Sequence, residues 1–339
     1  MDIDRKTTGR VGRAAGVATA LALGLLAAGP AGPAGATPRT SATVSGDTLF
    51  VRGSSASESL ALRLAAGDAN TLEVDFGDDG SADHRFDRTR FSSINVSLRS
   101  GHDRFRVDQV NGAFADESLT VDGGSGNDTL DGGDGVELFY GGSGRDAVDG
   151  NRGNDTGVLG SGQDSFRWDP GDGSDVVEGD SGSDTLDFNG AAANETMSLS
   201  PNGGRSLFLR EPATIRMDMD GVERLDLTAL GGTDTMTVGD MRGTDFRQAD
   251  VDLSAPTGGG DGAADTVTVT GTDRADRIDV GADGGVVEVD GLRTAVDVAG
   301  GEIADSLLVN ALGGNDDVDV DQAARALVTV IVDLGSGQR

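Results

Sequence analysis

Between residues 123 and 187 the sequence advances in steps of nine. The opening unit is Gly123-Gly124-Ser125-Gly126-Asn127-Asp128-Thr129-Leu130-Asp131. Units starting at Gly132, Gly141, Gly150, Leu159, Pro170 and Gly179 keep parts of its pattern, with Trp168 and Asp169 inserted before the sixth. Each place in the unit has a physical task. Glycine tolerates positive φ, so the first six residues can close a tight turn. Such a turn points backbone carbonyls inward, which brings Gly123, Ser125, Gly132, Asp134, Gly141 and Ser143 into the candidate ligand set. The sixth place supplies a carboxylate: Asp128, Glu137, Asp146, Asp155, Asp164, Asp175 and Asp184. Residues seven to nine form a short strand. Its middle residue is apolar and inward: Leu130, Phe139, Val148, Phe166, Val177 and Leu186. Gly157 breaks that series and predicts a thin spot in the core.

Carboxylate and carbonyl oxygens are hard ligands of the kind Ca²⁺ takes, about six to eight at a time. The units resemble the G-G-x-G-x-D-x-U-x nonapeptide of the RTX, or haemolysin-type, calcium-binding family. The resemblance implies a right-handed parallel β-roll with two nonapeptides per turn. It also implies calcium between turns that stack on the same side. Asp128 would then share an ion with the loop at 141–146, Asp146 with the loop at 159–164, and Glu137 with the loop at 150–155. Up to five such sites follow, the one at Glu137 being weaker or differently shaped. The segment Phe166–Asp175, and the later Val222-Glu223-Arg224 with Ala229-Leu230-Gly231-Gly232, also look like secreted bacterial proteins of this group. A disordered low-complexity linker would share the composition. It would not explain the phased apolar eighth place.

Composition agrees with this reading and excludes others. The chain has 58 Asp+Glu against 27 Lys+Arg, a net charge of −31, with 55 glycines and no cysteine. Without cysteine there is no disulfide framework, zinc ribbon, iron–sulfur site or thiol nucleophile. The acidic balance argues against a nucleic-acid partner. Residues 1–36 read as a secretory signal peptide. Arg5, Lys6, Arg10 and Arg13 precede an apolar stretch from Ala14 to Ala28, and Ala34-Gly35-Ala36 forms a cleavage pattern before Thr37. The apolar run is too short and glycine-broken for a good transmembrane span, and no membrane insertion is expected.

The flanks carry weaker echoes. Ser100-Gly101-His102-Asp103, Gly231-Gly232-Thr233-Asp234 and Gly313-Gly314-Asn315-Asp316 each precede alternating residues. Gly53–Asp75 resembles Gly271–Asp290 in the same way. Strands are expected near Thr43–Arg52, Ser118–Val121, Arg224–Thr228, Thr266–Thr270 and Ala326–Val332. The organisation is therefore a leader (1–36), a strand-rich flank (37–122), the nonapeptide roll (123–187) and a solenoid-like region (188–339). The fold class is all-β, a parallel β-roll with irregular β-solenoid or β-sandwich flanks.

Other candidate sites are thin. Asp75–Asp83 has alternating aspartates before a glycine, as in an EF-hand loop, but no helices flank it. A plain turn is the simpler reading. His84 and His102 stand apart from any hydrolase motif and read as turn or edge residues, and Trp168 reads as a packing plug. Asp316-Asp317 could form a carboxylate pair for polysaccharide chemistry. The leading expectation is a secreted, non-enzymatic calcium-binding protein of structural or interaction type. Its partners would be calcium ions and a cell-surface or extracellular polymer. The alternative is an extracellular polysaccharide-acting enzyme on a β-solenoid.

Overall fold

The structure is a computed structural model and describes residues 39–336. The leader reading, residues 1–36, lies outside the described residues. Short segments of alternating apolar and polar residues bury every second side chain, and the chain lays them down in two long sheets. The described residues form one sheet of 15 strands and another of 14, with successive coils contributing to each in turn. Their inward residues make a single apolar core. The fold is an all-β parallel β-roll continued at both ends by solenoid coils.

Register follows the nine-residue step. Ser118–Ser125, Glu137–Gly144 and Thr156–Gly162 run parallel in the first sheet, with Thr120, Leu138 and Thr156 side by side. Thr129–Asp131, Ala147–Asp149 and Ser165–Trp168 do so in the second, with Leu130, Val148 and Phe166 aligned. Two nonapeptides thus complete one coil. Trp168 and Asp169 lengthen the next coil, so that Ser165 pairs with Thr185 and Thr156 with Val176. The inward column then runs on through Leu186, Leu225, Ala249 and Val296 without a break.

Antiparallel excursions interrupt the winding. Ser59–Ala65 pairs with Asp68–Phe76, and Arg277–Asp283 with Val286–Asp290, which are the two segments whose sequences echo one another. Thr196–Asn202, Arg205–Glu211 and Ile215–Asp220 form a meander within the first sheet. The expected strand at Thr43–Arg52 is a hairpin of Ser41–Ser45 with Thr48–Arg52. The one expected from Ala326 begins at Thr329, after a single helical turn at Ala324–Leu327.

The thin spot expected at Gly157 is not there. Gly157 lies between Phe139 and Val177 in the first sheet, and the ring of Phe166 reaches across to fill its place. A side-chain carbon on Gly157 would come within 2.7 Å of Phe166 Cδ2. Trp168 is fully buried, stacked on Phe188 at 4.2 Å between ring centroids, and its indole N–H donates to the Gly173 carbonyl. It is a packing residue with no face free for a ligand.

Candidate metal centre

The carboxylates at the sixth place stack along the edges where the chain passes between the sheets. Each aspartate accepts a hydrogen bond from the backbone of its counterpart one coil earlier. The Asp128 N–H donates to Asp146 Oδ1 at 2.8 Å, Asp146 to Asp164 at 2.7 Å and Asp164 to Asp184 at 2.9 Å. On the opposite edge the Glu137 N–H donates to Asp155 and Asp155 to Asp175, both at 2.8 Å. All seven side chains are buried. The structure therefore brings the whole predicted carboxylate set into two ladders, with partners 18 or 20 residues apart.

One oxygen of each aspartate holds the coils together, and the other has a different fate. Oδ2 of Asp128, Asp146, Asp155, Asp164 and Asp184 is buried without a hydrogen-bond partner. An unpaired buried polar atom costs about 1–3 kcal/mol, more when charged, so such a group calls for an explanation. The surroundings offer one. A side-chain carbon on Gly123 would lie 2.6 Å from Asp128 Oδ2 and 2.8 Å from the Gly141 carbonyl oxygen. On Gly141 it would lie 2.8 Å from Asp146 Oδ2 and 2.5 Å from the Leu159 carbonyl oxygen. Glycine at the first place thus leaves a cradle between a carboxylate oxygen and a carbonyl of the following coil. Among the described residues no three His, Cys, Asp or Glu side chains converge as a ligand group. The donors are single carboxylates combined with backbone carbonyls, and that oxygen-only set fits a hard cation. A groove of about 640 Å³, lined by Asn127, Asp128, Arg145, Asp146, Gln163 and Asp164 among others, opens along this edge.

Electrostatics agree. Burial, opposed by the backbone hydrogen bond, pushes Asp146, Asp175 and Asp184 up to about 7. Burial also raises Asp128, Asp164, Glu137 and Asp155. Stacked carboxylates in a poorly solvated edge resist ionisation, and a cation among them would reverse that resistance.

The ladders extend well beyond the nonapeptides, which sequence reasoning missed. Glu58 donates its backbone N–H to Asp103 and Asp103 to Asp128, and the Asp184 N–H reaches Glu223. On the other edge Glu195, Asp234, Asp265 and Asp305 form the same chain. Asp276 donates to Asp316 ahead of strands of the second sheet, as Asp103 and Asp128 do. A usable signal was present. Each of Glu58, Asp103, Glu195, Asp234, Asp265 and Asp305 stands two residues before a buried apolar residue, namely Leu60, Phe105, Met197, Met236, Val267 and Leu307. The turn backbone is retained even where glycine is lost. Arg99, Leu230 and Leu312 adopt φ of +80°, +69° and +63°, at the place where Gly124 and Gly142 have +97° and +105°.

The minor candidates separate from this centre. Asp75 is held by Arg63 at 2.7 Å and accepts the Gly80 amide, while Asp83 accepts the Phe76 amide. The Asp75–Asp83 loop is a turn whose key carboxylates are spent on protein donors. Asp316 is buried and Asp317 exposed, so this pair does not converge on one substrate position. His84 is exposed between Phe76 and Phe86, and His102 accepts the Asn127 amide through Nδ1.

No protein-family model matches the chain, and no curated protein matches it. Among solved structures, the extracellular lipase LipA from Serratia marcescens is similar at 13% identity and a TM-score of 0.20. The match covers 63% of this chain and 43% of the lipase, so this chain spans less than half the lipase's length. A likeness of that size bears on neither activity nor site.

Proposed function

We propose that the protein is an exported calcium-binding protein of structural or interaction type, whose β-roll is completed by Ca²⁺ at the carboxylate turns. One observation carries the reading: buried aspartate oxygens without partners, which at Asp128, Asp146 and Asp184 meet a glycine cradle that a backbone carbonyl closes. The resemblance to haemolysin-type nonapeptides supports it. Asp128, Asp146, Asp155 and Asp184 would hold the ions, with carbonyls such as Gly141 and Leu159. Calcium, when bound, supplies two positive charges to a site that otherwise disfavours ionised carboxylates.

The chain's own residues do the rest. The Oδ1 atoms tie each coil to the one before it whatever occupies the cradle. The glycines keep the cradle free of side chains, and the eighth-place residues align the coils. Binding free energy at such turns becomes folding free energy, because an unfolded chain does not present the site. Extracellular modules bind calcium at about 10⁻⁴–10⁻³ M. The partner we assign is a cell-surface or extracellular polymer, not nucleic acid. No helix among the described residues is long and apolar enough to cross a membrane. Calorimetric titration of chelator-stripped protein with calcium tests the reading. Saturable uptake of several ions is expected, and no heat beyond dilution would refute it. The Asp316-Asp317 pair lends the enzymatic alternative no support, because one carboxylate is buried and the other exposed.

A further inference from the structure

Turns that begin with an inward glycine and reach a carboxylate five residues later fall into two kinds. In the first kind the carboxylate closes on its own turn. Glu58 Oε2 accepts the Ser54 amide at 2.8 Å, Glu137 Oε2 the Gly133 amide at 3.3 Å, and Glu195 Oε2 the Ala191 amide at 2.9 Å. In each case the donor is the second residue of the turn. In the second kind the carboxylate stays open. Asp128, Asp146, Asp155 and Asp184 follow Gly123, Gly141, Gly150 and Gly179, and their Oδ2 atoms accept nothing. These four side chains are 0–2% exposed, so bulk water does not reach them. Asp164 is open in the same way, although Leu159 leads its turn.

The difference is one of reach. Glutamate carries one more methylene than aspartate, about 1.5 Å of extra length. That length brings the second oxygen back to the amide of the second residue. Aspartate in the open turns spends Oδ1 on the preceding coil and falls short of that amide with Oδ2. Two closed aspartate turns show what closure otherwise needs. Asp305 Oδ2 accepts the amide of Glu302, the third residue of its turn, at 2.8 Å. Asp276 accepts both the amide and the hydroxyl of Thr272, at 2.7 and 2.9 Å. The open turns have Gly124, Gly142, Asn151 and Asp180 at that second place, none of which carries a hydroxyl.

We propose that side-chain length at the sixth place decides whether a turn takes a cation: aspartate leaves the cradle open for Ca²⁺, and glutamate closes it with its own carboxylate. The proposal rests on the calcium reading and sharpens it. It removes Glu137 from the ligand set and makes its turn a metal-independent clamp inside the repeat. The Glu58 and Glu195 turns are clamps of the same kind in the flanks. Within the nonapeptide repeat the open aspartates therefore lie unevenly on the two edges. Asp128, Asp146, Asp164 and Asp184 share one edge, and the other keeps Asp155.

The test counts calcium ions bound per chain at saturating CaCl₂, by native mass spectrometry and calorimetry on the chelator-stripped protein. Glu137→Asp is expected to add one ion to the wild-type count. Glu137→Gln, which keeps an acceptor for the Gly133 amide but not the charge, is expected to leave it unchanged. Asp146→Glu is expected to lower it by at least one. An unchanged count in Glu137→Asp, or a lower count in Glu137→Gln, overturns the proposal while leaving the calcium reading intact. If the wild type binds no calcium, the reading itself fails and the proposal with it. Should Asp146→Glu not fold, as judged by circular dichroism, the two Glu137 variants decide the matter.

Discussion

Gly157 and Phe166 form a lock whose parts can be exchanged. Gly157 occupies an inward strand position that holds Phe139 and Val177 in the neighbouring coils, and the Phe166 ring takes up the space its missing side chain leaves. Gly157→Val alone places new carbon 2.7–2.9 Å from the ring edge, too close to be accommodated without movement. Overpacking of this sort costs about 1–3 kcal/mol. Phe166→Ala alone empties a fully buried site at about 3–5 kcal/mol. In the double variant the valine methyls enter the vacated space, so the two costs do not add. A coupling of about 1–3 kcal/mol is expected. The assay is urea unfolding of the four proteins in saturating calcium. Far-UV circular dichroism and Trp168 emission are followed together, because coincident transitions justify the free energies. Additivity within about 0.5 kcal/mol would mean that the Phe166 ring does not fill the Gly157 position, and the packing argument would fall.

Other consequences concern charge, burial and export. In chelator, Asp146, Asp175 and Asp184 keep their protons up to about pH 7 when folded, whereas unfolded aspartates release theirs near ~3.9. The folded state therefore binds more protons between those limits. Its stability from these groups is full at acid pH and is lost as pH rises through about 7. The metal-free protein should melt higher at about pH 5 than at about pH 8, and the reverse order would contradict this. Arg210 pairs with the buried Glu195 and lies 5.2 Å from the Trp168 ring centroid. Arg210→Ala strands that carboxylate and should cost about 3–5 kcal/mol in thermal or urea unfolding, with partial recovery in Arg210→Ala/Glu195→Gln. The sole tryptophan, Trp168, should emit at short wavelength in calcium and shift to the red in chelator. An unshifted spectrum would mean that the Phe188 stack survives metal loss. The exported protein should begin at Thr37, as read by N-terminal sequencing, and an intact Met1 would refute the leader reading.

Much of the roll was legible because its chemistry is local. Glycine, carboxylate and apolar residue recur at fixed offsets, so Asp128 and Asp146, or Leu130 and Val148, could be placed side by side by counting. What could not be counted was missed. Insertions such as 109–117 and 239–247 change the coil length, so Asp103 and Asp234 fall out of step although they occupy the same ladders. The positive φ of Arg99, Leu230 and Leu312 is contrary to local preference, so the echoes at 100–103, 231–234 and 313–316 showed in the sequence as Gly/Asp turns but not as further rungs of the ladders. The ring of Phe166 at Gly157 is a contact across the core between sheets, and no pattern along one strand encodes it. The closed state of Glu137 was legible only as a departure from aspartate. Its meaning depends on where the Gly133 amide points.

If calcium completes this fold at the aspartate turns, a far-UV circular dichroism titration of chelator-stripped protein with CaCl₂ reads it out. A cooperative gain of β signal is expected at about 10⁻⁴–10⁻³ M calcium, reversed by chelator. The gain should weaken when Asp146 and Asp164 are both changed to Asn. A spectrum that is the same in calcium and in chelator would contradict it.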